Sequence, residues 1–257
     1  MSRFGHLEFD DRSASREEQT PGARDAGARL DDAEAAFRRG DFEPALRAYG
    51  RVLETAPDSA VAWCGQVRML IELGEFAEAG VWADKALERF PTHAELLAAK
   101  AVTLARSGDT AAALTFSDAA IAEQGDTPYV WLARGDVLLA RAEKRAEYCF
   151  SRALSASGGD WLWVWLAARI HYYYRKFSLA LKLATQALAI DGAQAAVWLQ
   201  LGHCQLALGL ANSAQESYHQ ARELNPSLPA VTAAEQAAAS CGWYHRMRGG
   251  LRRWLEH

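Results

Sequence analysis

A small residue returns along this chain at a fixed interval: Ala45, Ala79, Ala113, Ala146, Ala180 and Ala214. Successive positions lie 34 residues apart, with one step of 33. Seven places later a second small residue keeps step, at Val52, Ala86, Ala120, Ala153, Ala187 and Ala221. A turn-former closes each interval at Pro57, Pro91, Gly125, Gly158, Gly192 and Pro226. A period of about 34 residues is that of a helix–turn–helix unit, which can bury its apolar face only against the next copy. The chain is therefore expected to form one quasi-linear array with nearest-neighbour contacts, although 257 residues would otherwise suggest one or two globular domains.

Six units follow from the period, at 26–59, 60–93, 94–127, 128–160, 161–194 and 195–228. Each reads as helix, short turn, helix. The internal turns are Gly40-Asp41-Phe42, Gly74-Glu75-Phe76, Gly108-Asp109, Arg141-Ala142-Glu143-Lys144, Arg175-Lys176-Phe177 and the stretch around Gly209. Gly135, Ala168 and Gly202 sit mid-way along their first helices, where a small side chain lets the paired helix come close. Trp63, Trp131 and Trp198, with the later aromatics Tyr49, Phe150 and Tyr218, fill the wedges between helices. Half of the residues are apolar, ample for a continuous core.

Together, Trp, then a small residue, a turn, Ala, an aromatic, Ala and Pro at fixed offsets resemble the tetratricopeptide repeat family. Unit six carries the pattern best, through Trp198, Gly202, Ala214, Tyr218, Ala221 and Pro226. Unit three departs most, with Leu97, Ser117 and Gly125 for the tryptophan, aromatic and proline. Unit four has lost a residue in its turn, and unit five has Val164 and Ala184 where bulkier side chains are usual. The resemblance implies an all-α, right-handed superhelical solenoid over about 26–240. Residues 229–240 would form the capping helix that a terminal repeat needs. Family-wide residues of this kind are structural, so the resemblance implies a surface for holding other molecules without naming them.

In such arrays the first helices line the concave face. Projection of those helices places Arg68, Arg106, Tyr129, Trp165, Arg169, Tyr172, Tyr173 and His203 toward a partner there. Unit five stands out, because Trp161-Leu162-Trp163-Val164-Trp165 and His171-Tyr172-Tyr173-Tyr174 put aromatics on every face of one helix. Trp165, Arg169, Tyr172 and Tyr173 share a stripe, and Trp, Tyr and Arg are the residue types enriched at binding hot spots. The competing reading is that these rings are spacers packed between units. Capture of a chaperone's C-terminal carboxylate, a mode known in the family, is not supported. The corresponding places hold Leu30, Glu34, Cys64, Gln66, Arg68, Ala98 and Lys100, which do not assemble a basic and amide set.

Both ends lie outside the array. Residues 1–25 are expected to be a disordered or partner-docking arm, with Phe4, Leu7 and Phe9 as its large apolar residues. Residues 241–257 form a basic aromatic tail containing Trp243, Tyr244, Arg246, Arg248, Arg252, Arg253 and Trp254. Such a tail suits docking into a protein partner. Peripheral contact with an anionic membrane is a second mode, weakened because Gly249-Gly250 interrupts any long helix. Four arginines are too little charge for a self-sufficient nucleic-acid site, and the net charge of −4 gives no global field toward one.

No apolar run approaches the roughly 20 residues of a membrane span, and no secretory leader is evident, so the chain reads as cytoplasmic. Cys64, Cys149, Cys204 and Cys241 show no metal or redox spacing and read as buried thiols. Phosphate loops, histidine pairs on a helix face and nucleophile elbows are missing from the sequence, which sets catalysis, cofactors, metals and a small-molecule substrate aside. Two readings stay open. One is a non-catalytic scaffold or adaptor for a partner's peptide or helix, serving assembly of a multiprotein complex. The other is a constitutive subunit of a larger, membrane-associated or soluble complex, held through its termini and convex face.

Overall fold

A computed structural model describes residues 21–227 apart from residue 124, together with 231, 232 and 234. Among these residues the chain is helical, with no strand. Unit one comprises α1 (Pro21–Arg38) and α2 (Phe42–Thr55), unit two α3 (Ala60–Leu73) and α4 (Phe76–Arg89), and unit three α5 (Ala94–Arg106) and α6 (Thr110–Ala122). Unit four comprises α7 (Pro128–Ala140) and α8 (Ala146–Ala156), unit five α9 (Trp161–Tyr173) and α10 (Phe177–Ile190), and unit six α11 (Ala195–Ala207) and α12 (Ala211–Leu224). The result is a superhelical solenoid of helix pairs. None of the described helices is long and apolar enough to cross a membrane.

The helix starts are fixed locally. Ser59, Asp109, Thr127 and Asp160 each accept a hydrogen bond from a backbone N–H in the first turn of the following helix. Pro128 occupies the first turn of α7, where no N–H is needed. The leading tryptophans tie each unit to the turn before it. The Trp63 and Trp198 indoles donate to the carbonyls of Pro57 and Gly192 at 2.8 Å, and Trp131 donates to Asp126 at 2.6 Å.

Packing explains the repeated small residues. The six alanines at the repeat mark are all buried, with Ala45, Ala79, Ala113, Ala180 and Ala214 at 0 % exposure. A Cβ at Gly135 would stand 2.8 Å from the Phe150 ring, and one at Gly202 would overlap the Tyr218 ring outright. Large and small residues are thus fitted across each crossing rather than averaged over it. Beyond unit six, Val231 packs near Ala221 and Ala234 near Tyr218. The rest of the expected capping helix at 229–240 lies outside the described residues.

One step in the stack differs from the others. The connection into unit five passes through Gly158 and Gly159, both at positive φ (63° and 83°). Here α8 is short, at 11 residues, and stands off from α9, with the Phe150 and His171 rings 4.4 Å apart between them. Unit five also meets unit one. Arg38 holds Asp160 through two hydrogen bonds of 2.9 Å, and Phe42 stacks on Trp165 at 5.9 Å and 13°. A Cβ on Gly40 would come within 2.7 Å of the Ala196 side chain in unit six. The superhelix therefore closes one turn upon itself, and one core joins Phe37, Leu132, Trp165 and Leu183.

Ala214→Trp is expected to lower stability by about 1–3 kcal/mol or more, because the α11–α12 crossing has no room for a ring. The midpoint of urea denaturation followed by circular dichroism measures this, and an unchanged midpoint would contradict the packing register.

Candidate functional site

Closure of the turn decides which candidate side chains are enclosed and which lie open. Trp165 is 1 % exposed and Tyr129 is 9 % exposed, so both rings belong to the interior of the array. The Arg68 guanidinium lies over Tyr129 at 4.3 Å, Phe37 at 4.9 Å and Trp163 at 5.6 Å, an aromatic enclosure on three sides. Its Nη2 is buried without a hydrogen-bond partner. Burial opposes the Arg68 charge, but Tyr129, Glu95, Tyr49 and Glu34 around it raise its pKa. Beside this stack is a small hollow of about 30 Å³, walled in part by Leu132, Val102 and Ile170.

Above the hollow the charges are paired. Arg106 reaches Asp136 at 2.6 Å, with their side chains 7 % and 1 % exposed, and Tyr174 donates a hydrogen bond to the same carboxylate at 2.7 Å. Burial works against the Arg106 charge, but Asp136 outweighs it and raises the pKa. Arg169 crosses from unit five to Glu72 of unit two at 2.5 Å. Burial alone would raise the Glu72 carboxyl, yet Arg169 and Arg106 hold it below the usual carboxylate range. The two ion pairs form the floor of an open cleft.

That cleft has a volume of about 470 Å³ and runs between units two and three on one side and units five and six on the other. Its walls bring together five of the eight residues assigned to the concave face: Arg106, Arg169, Tyr172, Tyr173 and His203. Tyr172 packs against Phe177 with ring centroids 5.3 Å apart and planes tilted by 56°, and lies 6.2 Å from His203. Tyr173 is 42 % exposed, meets Phe76 edge-on at 6.1 Å and carries the Arg106 guanidinium over its ring at 4.3 Å. The Nδ1 of His203 is 3.1 Å from the Tyr218 hydroxyl, and burial followed by the Arg169 charge lowers its pKa to about 4.

Sequence reading passed over Phe76, Phe177 and Arg175 as members of this wall. All three lie in or beside the turns between paired helices, whereas attention to the first helices selects positions inside them. A signal was nevertheless present in the turns. Four of the six carry Gly40, Gly74, Gly108 and Gly209 at positive φ, and unit five places Arg175 there at φ 58°. The terminal candidates Phe4, Leu7, Phe9, Trp243, Tyr244, Arg246, Arg248, Arg252, Arg253 and Trp254 lie outside the described residues. Cys64, Cys149 and Cys204 are free and buried, and burial pushes the Cys64 thiol up to about 12.

Tetratricopeptide repeat models match residues 30–94, 70–137 and 195–228 of the chain. A tetratricopeptide repeat protein from Parabacteroides merdae ATCC 43184 shares its fold with a TM-score of 0.54 at 16 % identity, covering 87 % of each chain. A chain of the APC/C hetero-tetramer Cut9–Hcn1 gives a TM-score of 0.50 at 15 % identity over 83 % of this chain. This chain spans only 42 % of that longer one. No curated protein matches it in sequence.

Two outcomes follow from the geometry. Trp165→Ala removes a ring buried at the closure seam and is expected to cost about 3–5 kcal/mol, as large core truncations do. Asp160→Asn breaks the partly exposed Arg38 pair and is expected to cost about 1 kcal/mol or less. Denaturation midpoints of the two variants measure the contrast, and a near-neutral Trp165→Ala would place the ring outside the core.

The buried imidazoles give a pH dependence. Burial lowers the pKa values of His171 and His203 to about 4, from about 6.5 in an unfolded chain. Below about 6.5 the unfolded state takes up protons first. Their contribution is complete above that pH and is lost as pH falls toward 4. Thermal midpoints measured between pH 7 and 4 should drop, and His171→Phe should flatten the slope.

Proposed function

The chain belongs to the tetratricopeptide repeat family, and on that premise we propose that it is a non-catalytic scaffold for protein–protein interaction. It receives a segment of a partner protein in the cleft between units two and five. The observation that carries this reading is the division of the aromatic residues. Trp165, Tyr129 and Phe37 fill the superhelix, while Tyr172, Tyr173, Phe76 and Phe177 line a wall of the open cleft. Aromatic rings bordered by arginine in a concave site are the composition of an interaction hot spot. The filled interior leaves less room for a helix running along the superhelix axis, which favours an extended peptide at the turn edge. Assembly of a multiprotein complex is the role that suits such a scaffold, with the two terminal segments as further contact points and the cytoplasm as its compartment.

A second reading, that of a constitutive subunit held through its back, has one observation in its favour. Tyr148 is 62 % exposed, sits edge-on to Trp131 at 6.1 Å, and Arg152 lies over the same indole at 5.3 Å. Tyr148 and Arg152 belong to α8 and Trp131 to α7, and none of the three lines the cleft.

The test combines Tyr172→Ala and Tyr173→Ala in one variant and, separately, Tyr148→Ser. Under the scaffold reading, the double variant loses partner co-purification at least tenfold while keeping its thermal midpoint within a few degrees, as loss of a hot-spot pair does. Loss of co-purification with Tyr148→Ser alone would favour the subunit reading.

A further inference from the structure

Resting on the cleft assigned above, we infer that the partner segment is an extended peptide in which an aromatic or large aliphatic residue is flanked by carboxylates, and that Arg175 selects it. The floor of the cleft is electrically closed, because Arg169 is paired with Glu72 and Arg106 with Asp136. What remains is the charge on the unit-five rim, which has no local partner. Arg175 and Lys176 are exposed and adjacent, and among the described residues neither has a carboxylate within ion-pair distance. The exposed carboxylates Glu75, Glu78 and Asp109 belong to units two and three, across the cleft.

The backbone gives the second observation. Arg175 occupies a left-handed position, φ 58°, where units one, two, three and six use glycine. A side chain with a Cβ is disfavoured there, and local packing does not call for a guanidinium at this exposed point. Arg175 lines both this cleft and an adjoining hollow with Phe177, Leu179 and Leu208. Leu208 is 38 % exposed and Leu210 is 49 % exposed beside that hollow. The path is therefore apolar, cationic, apolar. Its complement is a large apolar side chain with carboxylates beside it, one of which Arg175 can hold with two parallel N–H donors.

Arg175→Gly separates this role from folding, since glycine is the residue the other turns use at that conformation. Full-length protein is titrated at low salt into three fluorescein-labelled peptides with a central Phe-Leu, flanked by glutamates, serines or lysines. Fluorescence anisotropy is the readout. The glutamate peptide should bind about threefold to fivefold more tightly than the serine peptide, the worth of one partly exposed ion pair. The lysine peptide should bind most weakly, and added salt should erase the differences. Arg175→Gly should abolish the preference without lowering the thermal midpoint, and Arg175→Lys should retain part of it. Tyr172→Ala should weaken all three peptides alike.

Equal binding of the three peptides, or a preference that survives Arg175→Gly, overturns the inference. Sensitivity of all three to Tyr172→Ala would then leave the cleft itself standing. Failure of the glutamate peptide to bind at millimolar concentration overturns both. A preference for the glutamate peptide that persists in Tyr172→Ala but vanishes in Arg175→Gly would place recognition in the adjoining hollow, and overturns the cleft as the site of the aromatic residue.

Discussion

Everything unusual about this array depends on Trp165 lying where the superhelix meets itself. Stacked on Phe42 and buried to 1 % exposure, it links the first and fifth units. A tryptophan ring buries on the order of 200 Å², worth roughly 5 kcal/mol of apolar transfer. Contacts that span 97 and 122 residues, Arg169 to Glu72 and Arg38 to Asp160, surround it. Loop-closure entropy grows only logarithmically with span, so a seam of this kind is affordable even at that separation. Its consequence is a change in cooperativity. An open solenoid can fray from either end, but here unit one cannot leave without uncovering the core of unit five.

Arginine is the residue that makes a charged interior tolerable. Arg68 lies against three rings with its face, and Arg106 and Arg169 each combine an ion pair with an aromatic contact, to Tyr173 and Phe42 respectively. A planar, weakly hydrated cation can be stacked and hydrogen-bonded at once, which an ammonium cannot. Buried ion pairs repay little net stability because desolvation offsets the attraction. Their effect is on geometry. With Asp136 taken by Arg106 and Tyr174, and Glu72 taken by Arg169, the rotation of unit five over units two and three has one satisfied arrangement. The same pairs leave the cleft floor neutral, so that the charge selectivity proposed for the cleft rests on its rim.

The helix pairs were legible from sequence because each depends on local letters. The alanines from Ala45 to Ala214 mark crossings, Gly135 and Gly202 mark where Phe150 and Tyr218 enter, and Gly74 and Gly209 mark turns. The closure was not legible. Nearest-neighbour logic says nothing about units four apart, and curvature accumulates from small rotations at each joint. The joint that matters, Gly158-Gly159, reads in sequence as one more turn. For the same reason the candidate residues divided in a way the first-helix projection could not foresee. Tyr172 and Tyr173, at the end of α9, remain at an opening, whereas Trp165 and Tyr129, further inside, are enclosed. The density of rings in unit five was visible, and its explanation proved to be twofold. One part closes the seam and the other lines the cleft.

The six turns within units offer a last comparison, because they ask one conformation of different residues. Glycine meets it in four, while Ala142 and Arg175 adopt it at φ 55° and 58°. A left-handed residue with a Cβ costs about 1 kcal/mol relative to glycine, so each exception calls for some return. For Ala142 the return is local. Its neighbours Arg141 and Arg145 both pair with Glu143, and together they span the shortened turn of unit four. No such bracing surrounds Arg175, whose guanidinium stands in solvent between an aromatic wall and an apolar hollow. The binding role proposed for Arg175 would account for strain that has no local compensation. The stability lost there is small against the seam, which is why the array can carry it.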